Sequence, residues 1–246
     1  IYACLFLPMD TVDVATISGF DECCIFHTED GIHGLNLDWH RFVTRQSRDF
    51  ILHETAAIRE FSNKPTTINM MFEHYDMDYH AMADAIDFAS WDSYPEWHNG
   101  DNAVIAAKTA FWHDLYRSLK DQPFLLMEST PSLVNWKPYN KTKAPGLDVL
   151  SSIQAVAHGS DSVQYFQWRK GRGSSEKFHG AVVGHDGTSD TRVFRSVQKT
   201  GQILKDIDEV CGTVTDAKAA VIFDWESMWA LDDCQGYANV GKKYME

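Results

Sequence analysis

The chain reads Phe-Leu-Leu-Met-Glu-Ser-Thr-Pro-Ser at residues 124–132: four apolar residues, a carboxylate and then a polar, turn-forming stretch. A short continuous apolar run of this kind is typical of a strand buried on both faces, as in a parallel sheet. The spacing of apolar residues predicts one helix before it, over Asn102–Leu119, and another after it, over Leu147–His158. The stretch therefore predicts a strand–helix unit whose strand ends at Glu128.

The same alternation continues on both sides of this unit. The pattern predicts further strands at Thr66–Phe72, Ile86–Trp91 and Ser162–Trp168, and further helices at Leu37–Phe61, Tyr79–Ala85 and Arg195–Val210. Strands that alternate with helices of this length are typical of βαβ units in a parallel sheet. Four such units make half of an eight-stranded (β/α)8 barrel, an α/β fold. A doubly wound sheet fits the alternation equally well, although the chain has no GxGxxG phosphate loop.

Polar or aromatic residues end each predicted strand. They are Asn69, Asp92, Tyr94, Glu128, Gln167 and Arg169. Barrel enzymes build their active sites at the C-terminal ends of the strands, so a site is expected among these residues.

Charge and composition exclude several classes of partner. The 246 residues include 22 Lys and Arg against 35 Asp and Glu, a net charge of −13. Nucleic acid is not an expected partner, because a phosphate-backbone binder needs a basic surface. No apolar run reaches the roughly 18–20 residues of a membrane span, so no membrane association is expected. Five cysteines over this length do not make a disulfide framework, and we expect a cytoplasmic protein.

Aromatic residues make up 13% of the chain, and many stand beside carboxylates, histidines or amides. Flat rings stack on the C–H faces of sugars and polar groups bind hydroxyls, so this mixture suits a carbohydrate; burial in the core is the alternative for any single ring. Glu128 with Trp136 is the strongest candidate, although a carboxylate here could also cap a helix or loop. Glu176 and His179 could form a hydroxyl clamp, a surface pair or two metal ligands without a third at useful spacing. Tyr94 could donate to a carboxylate.

Six stretches of the sequence follow one another in a distinctive order. They are Leu37–Phe42, Ile86–Pro95, Met127–Trp136, Gln164–Arg169, Ser175–Gly180 and Ile222–Glu226. In this order they resemble the glycoside hydrolase family 42 β-galactosidases. The resemblance runs from about Leu35 to the C-terminus, and several separate motifs in register make it specific.

The resemblance implies a (β/α)8 TIM barrel of the retaining-glycosidase clan, incomplete at its N-terminus. Residues 1–36 are then an unassigned segment with a faint likeness to early barrel strands, and residues 37–210 carry strands 5 to 8. Residues 211–246 begin the flavodoxin-like α/β domain through which family members trimerise, with its first strand at Ala217–Asp224. A homotrimer is therefore implied.

The resemblance also implies an activity and the residues that perform it. The activity is retaining hydrolysis of β-galactosides, with Glu128 as the nucleophile that forms a galactosyl-enzyme. The residues that match substrate-site positions are Tyr94, Trp136, Phe166, Glu176 and His179. Glu176 and His179 would hydrogen-bond ring hydroxyls and Trp136 would pack against the sugar. No cofactor is implied.

The catalytic pair is incomplete in this sequence. Retaining hydrolysis needs a second carboxyl, roughly 5–5.5 Å from the nucleophile, as acid and then base. In the family it lies in an Asn-Glu pair, and this chain has none, so the acid/base is not identified. Two alternatives stay open: another retaining glycosidase of the same clan, and a catalytically silent sugar-binding fragment. The Cys23-Cys24 pair, with two nearby histidines, lacks the spacing of a standard zinc site, and no metal is expected.

Overall fold

The computed structural model describes residues 33–71, 76–97 and 100–233. The expectations for residues 1–32, including the faint likeness to early barrel strands and the Cys23-Cys24 pair, lie outside these described residues.

The described chain alternates helices with short strands. The helices are α1 (His33–Arg59), α2 (Tyr79–Met82), α3 (Asn102–Ser118), α4 (Leu147–Ala157), α5 (Arg192–Asp206) and α6 (Trp225–Asp233), and 3-10 turns follow at Ala83–Ala85 and Asp208–Val210. The strands are β1 (Met70–Met71), β2 (Ser90–Asp92), β3 (Phe124–Glu128) and β4 (Ser160–Val163). Each element predicted between residues 37 and 210 is present, with shifted ends. None of these helices combines the length and apolar character that a membrane span requires.

The four strands form one parallel sheet whose spatial order, β1-β2-β3-β4, is the order of the chain. Trp91 of β2 is level with Met70 on one side and Leu126 on the other, and Phe124 of β3 is level with Ser160. Helical crossovers join the strands, with α2 before β2, α3 before β3 and α4 before β4. A sheet that adds each strand beside the previous one, without reversal, has the pattern of a β/α barrel.

Helix α3 packs on the sheet through one buried face. Its buried residues Thr109, Trp112, His113 and Tyr116 have helical spacing. Trp91 stacks on Tyr116, with ring centroids 4.8 Å apart, and meets His113 edge-on at 5.0 Å. Burial of these rings anchors β2, whose C-terminal end carries part of the site.

The strand predicted at Ser162–Trp168 lies earlier, at Ser160–Val163. The chain leaves the ladder because its next backbone groups find other partners. Phe166 N donates to Ser129 O, and Val183 N donates to Trp168 O, both at 2.8 Å. The aromatic run that predicted a strand therefore belongs to a loop at the strand's C-terminal end.

The strand predicted at Thr66–Phe72 is reduced to Met70–Met71. Side-chain hydroxyls replace ladder bonds before it: Thr67 Oγ1 donates to Phe88 O, and Ser90 Oγ donates to Ile68 O, both at 2.7 Å. The β-branched and apolar pattern predicted the extended path correctly but not which residues pair.

Ala217–Asp224, predicted to be the first strand of a second α/β domain, is not a strand in the described chain. Its apolar residues are exposed: Val221 and Ile222 keep 79% and 87% of their accessible surface. A strand needs a neighbour for its backbone N–H and C=O groups, and no described strand pairs with this segment. An apolar run alone does not distinguish a strand from an extended connection.

The chain divides into two compact units. One contains the sheet and covers the described residues 47–71, 79–97 and 100–220. The other covers the described residues 33–46, 76–78 and 221–233, and within it Arg41 donates to both carboxylate oxygens of Glu226, at 2.8 and 2.6 Å. The boundaries expected from sequence, 1–36, 37–210 and 211–246, remain predictions.

Candidate active site

The candidate site lies at the end of β3, where Glu128 is held by two neutral donors. The Tyr94 hydroxyl, two residues beyond β2, donates to Glu128 Oε2 at 2.6 Å. Asn69 Nδ2, directly before β1, donates to Glu128 Oε1 at 3.2 Å. Each carboxylate oxygen therefore has its own donor from a different part of the sheet, which fixes the direction of the carboxylate.

Asp92 is the second carboxylate of this region. It lies level with Glu128 across the β2–β3 ladder, and both of its oxygens accept from Asn69 Nδ2, at 3.1 and 3.2 Å. The side chain is buried, with 6% of its surface exposed. Burial, together with the nearby charge of Glu128, raises the pKa of Asp92 to about 7, against the lowering effect of the Asn69 hydrogen bond.

The Tyr94 hydroxyl keeps its proton because burial and the nearby Glu128 carboxylate both disfavour its ionised form. Burial first, and then the hydrogen bond to Glu128 and its charge, raise the pKa of the Tyr94 hydroxyl well above its ordinary value. The hydroxyl is therefore a donor to Glu128 at any physiological pH, and it places no further negative charge beside the carboxylate.

An aromatic cluster surrounds His179 beside this carboxylate. The His179 ring lies 4.9 Å from Phe166, 5.2 Å from Trp136 and 6.0 Å from Tyr94, between ring centroids. Tyr94 also meets Trp136 edge-on at 5.0 Å. Tyr94 thus joins the ring cluster to Glu128, and the Trp136 side chain is the exposed member, at 47%.

The His179 ring has one free nitrogen. The ring is fully buried, and its Nδ1 lies 2.9 Å from the carbonyl oxygen of Gly180, an acceptor, so Nδ1 carries the hydrogen of that bond. Nε2 is buried and has no hydrogen-bond partner in the described chain. A buried polar atom without a partner is uncommon, and a ligand hydroxyl would satisfy it.

A glycine allows the His179 loop to approach the loop after β3. Gly180 N donates to Leu133 O at 2.8 Å, and a Cβ at Gly180 would lie 2.6 Å from the same oxygen and 2.7 Å from Thr130 Oγ1. Any larger residue would force these two loops apart. Glu176 begins the turn that leads here: its carbonyl accepts from His179 N at 2.9 Å, and its side chain is exposed.

The structure thus brings together most of the residues that the sequence singled out. Direct contacts join Glu128, Tyr94, Trp136, Phe166 and His179, while Glu176 is linked to them by its backbone and by its charge, which acts on Tyr94. Sequence reasoning did not assign roles to Asn69 and Asp92. Their positions at strand ends were the available signal.

The described residues contain no cluster of three or more His, Cys, Asp or Glu side chains that could hold a metal ion.

Comparison with known proteins identifies the family of the chain. The sequence model of glycoside hydrolase family 42, described as beta-galactosidase, matches residues 16–207. The chain belongs to this family. The resemblance inferred from its motifs is therefore confirmed.

Curated beta-galactosidases include close relatives of the chain. Beta-galactosidase GalA from Bacillus licheniformis is 54% identical over 225 residues, which cover 88% of this chain and 33% of GalA. Beta-galactosidase BglY from Alicyclobacillus acidocaldarius is 54% identical over 222 residues, which cover 89% of this chain and 32% of BglY. The chain spans about a third of the length of these relatives.

Solved family 42 structures share the fold. Gan42B, a GH42 beta-galactosidase from G. stearothermophilus, superposes with a TM-score of 0.83 at 52% identity, over 87% of this chain and 32% of that one. The cold-adapted beta-galactosidase from Rahnella sp. R3 gives a TM-score of 0.84 at 55% identity, over 88% and 32%. The described parallel sheet is therefore part of the family 42 α/β barrel.

Proposed function

We propose that the protein containing this chain is a retaining β-galactosidase. It hydrolyses terminal non-reducing β-D-galactosyl residues through a covalent galactosyl-enzyme on Glu128. The observation that carries the proposal is the pair of neutral donors on the Glu128 carboxylate, beside a cluster of aromatic rings, in a chain of family 42. Neutral donors orient a nucleophilic carboxylate without cancelling its charge, as an attacking group requires.

The chemistry assigns Glu128 one of two carboxyl roles. Its oxygen attacks the anomeric carbon and the bond to the leaving oxygen breaks, which gives a glycosyl ester. A second carboxyl protonates the leaving oxygen and then activates the water that hydrolyses the ester. The chain has no Asn-Glu pair, so this acid/base stays unassigned here.

The aromatic cluster is the proposed galactose subsite. Trp136 would pack against the sugar ring, since its indole is partly exposed beside Tyr94 and His179. The unpartnered Nε2 of His179 and the exposed carboxylate of Glu176 would bind sugar hydroxyls. Phe166 holds the His179 ring edge-on, and Tyr94 lies between subsite and nucleophile.

Two further properties are proposed for the whole protein. The resemblance to family 42 favours a homotrimer. Light scattering on the full-length protein that contains this chain, called the full chain below, tests this. An odd number of cysteines, without the pattern of a disulfide framework, favours the cytoplasm.

Hydrolysis of nitrophenyl glycosides by the full chain tests the proposal. We expect turnover of the β-D-galactoside above the glucoside, arabinoside and fucoside, and we expect Glu128→Gln to lower turnover by several orders of magnitude while the protein stays folded. A preference for another sugar would favour a different retaining glycosidase of the clan. Galactose binding without turnover would favour a silent sugar-binding protein, and near-normal activity of Glu128→Gln would exclude Glu128 as nucleophile.

A further inference from the structure

Asn69 donates one amide nitrogen to two carboxylates. Its Nδ2 lies 3.1 and 3.2 Å from the two oxygens of Asp92, and 3.2 Å from Oε1 of Glu128. An amide nitrogen carries two hydrogens, so one hydrogen serves each carboxylate. Asn69 directly precedes β1, and Asp92 and Glu128 end β2 and β3, so the bridge depends on the register of these three strands.

We propose that Asp92 is a positioning residue for the reaction of Glu128, acting through Asn69. By accepting from one hydrogen of the Asn69 amide, Asp92 fixes the amide so that its other hydrogen points at the Glu128 carboxylate. This inference rests on the proposed function, because it assigns a role in the same reaction.

The amide of Asn69 needs such an anchor. An asparagine side chain has a donating and an accepting end, and a half-turn about its last bond would place the oxygen against Glu128. Asn69 is an exposed residue, so packing does not hold it. Asp92 is buried on β2, and an amide oxygen turned this way would be repelled by the Glu128 carboxylate and would leave Asp92 without its donor. The observed orientation is therefore favoured by Asp92 and Glu128 together.

Asp92 can hold the amide without adding a full second charge beside the nucleophile. The titratable groups around Asp92 in the described chain are Glu128 on β3 and Tyr94 beyond β2. With its pKa raised to about 7, Asp92 is mostly protonated in mildly acidic solution and about half protonated at pH 7, and its carbonyl oxygen still accepts from Asn69. Below pH 7 the Glu128 carboxylate then has two neutral donors and a mostly uncharged Asp92 beside it.

The position of Asp92 does not suit the acid/base role. It lies on the strand next to Glu128, at the same level of the ladder, and only 6% of its surface is exposed. An acid/base must reach the leaving oxygen and later a water molecule, across the sugar from the nucleophile. A buried neighbour can act on the nucleophile but not on the leaving group.

The test is a double-mutant cycle on the full chain, measured as kcat and KM for aryl β-galactosides with good and poor leaving groups. We expect Asp92→Ala to lower kcat roughly 10- to 100-fold with little change in KM, because a misdirected nucleophile affects the reaction more than binding. Asn69→Ala should lower kcat by a similar factor, and the double variant should be no worse than Asn69→Ala alone. Asp92→Asn should stay close to wild type, because its carbonyl oxygen can accept the same hydrogen bond. The matched control is Thr109→Ala, which removes a buried polar side chain of α3 whose hydroxyl donates to Ile105 O, and it should leave kcat near wild type.

Four outcomes would overturn the inference while wild type and Glu128→Gln behave as proposed. They are normal kcat in Asp92→Ala, additive losses in the double variant, equal losses in Asp92→Asn and Asp92→Ala, and a loss confined to poor leaving groups, which marks an acid. If Asp92→Ala does not fold, the comparison of Asn69→Ala with Asp92→Asn decides, since only the first should lose activity. Absence of galactoside hydrolysis by wild type would instead contradict the proposed function, before any variant is compared.

Discussion

Two uncharged donors, the Tyr94 hydroxyl and the Asn69 amide, define the environment of Glu128. A cationic donor would hold the carboxylate more tightly. It would also make the carboxylate a weaker nucleophile, because it would stabilise the negative charge in the ground state more than in the transition state. Neutral donors give direction at a smaller cost in reactivity. The contribution of each donor can therefore be measured separately.

Removal of the Tyr94 hydroxyl should slow the reaction while the aromatic subsite still binds the sugar. Tyr94→Phe keeps the ring against Trp136 and His179 and loses only the hydrogen bond to Glu128. A hydrogen bond to a charged group contributes roughly 1.5–3 kcal/mol, so kcat/KM for a β-galactoside should fall about 10- to 150-fold. Tyr165→Phe is the matched control, since the Tyr165 hydroxyl contacts Ser152 instead. Equal effects of the two changes would contradict a specific role for Tyr94.

Asp92 should make the folded state less stable as the pH rises. Its pKa is about 7 in the folded protein and ordinarily 3.8, so between these values the folded state keeps a proton that the unfolded state has lost. Stability from this group is complete below about pH 4 and is lost as the pH rises through 7. At about 1.36 kcal/mol per pKa unit, the whole window amounts to on the order of 4 kcal/mol.

Thermal unfolding of Asp92→Asn across this range measures the effect. Its Tm relative to wild type should rise from pH 4 to 7 and then level off, because the amide does not titrate. The control is Asp84→Asn: Arg48 lowers the pKa of Asp84, so this carboxylate is ionised in both states above about pH 4. A constant difference between Asp92→Asn and wild type would contradict the buried, proton-binding state of Asp92.

Sequence reasoning found the residues of the site better than their connections. Strand ends predict Glu128 and Tyr94, the family resemblance predicts these and His179, and the structure brings the three side chains together. The Asn69–Asp92 bridge could not be predicted, because it depends on the register of three strands and on the irregularity at Trp91/Asp92. A shift of one residue would turn these side chains to the other face of the sheet.

At the scale of elements, the site is formed both by the ends of the short strands and by the loops that follow them. Alternation predicted every strand–helix unit between residues 37 and 210, because the core imposes that pattern. It did not predict where pairing stops. The aromatic pattern around Phe166 predicts a strand, yet Phe166 lies in a loop and its ring contacts His179. The chain leaves the sheet there because its backbone forms hydrogen bonds with the loop after β3 instead of with the next strand.

Gly180 should be essential to the loop that carries His179. In Gly180→Ala the new Cβ meets Leu133 O and Thr130 Oγ1 at distances that atoms do not adopt, so the loop must move and take His179 with it. We expect a higher KM for β-galactosides and a lower Tm. Gly173→Ala is the matched control in the same loop region, since nothing lies within 4 Å of its Cβ, and it should change neither value. Normal KM in Gly180→Ala would show that the loop contact does not position His179.

At the scale of the whole molecule, the described residues form four parallel strands, whereas a closed β/α barrel has eight. The chain spans about a third of its curated relatives, and neither described edge of the sheet, β1 or β4, pairs with a further strand in the described residues. Open edges of parallel sheets favour association with other chains. A barrel of eight strands therefore needs four more than the described residues supply.

The 246-residue chain alone should consequently be inactive. Expressed by itself, it is expected to show no hydrolysis of nitrophenyl β-D-galactoside, because its described residues supply four strands of an eight-stranded barrel and the acid/base carboxyl is not identified in its sequence. The full chain, assayed in parallel, provides the positive control. Turnover by the 246-residue chain that Glu128→Gln abolishes would show that it carries a complete catalytic pair.

Covalent trapping tests the central claim most directly. A 2-deoxy-2-fluoro galactoside with a good leaving group should inactivate the full chain, because the fluorine slows hydrolysis of the glycosyl ester more than it slows ester formation. Proteolysis and mass spectrometry should then find the fluorogalactosyl group on the peptide containing residues 124–132, attached to Glu128. Label on any other residue, or full activity after prolonged incubation without label, would contradict the assignment of Glu128 as the nucleophile of a retaining galactosidase.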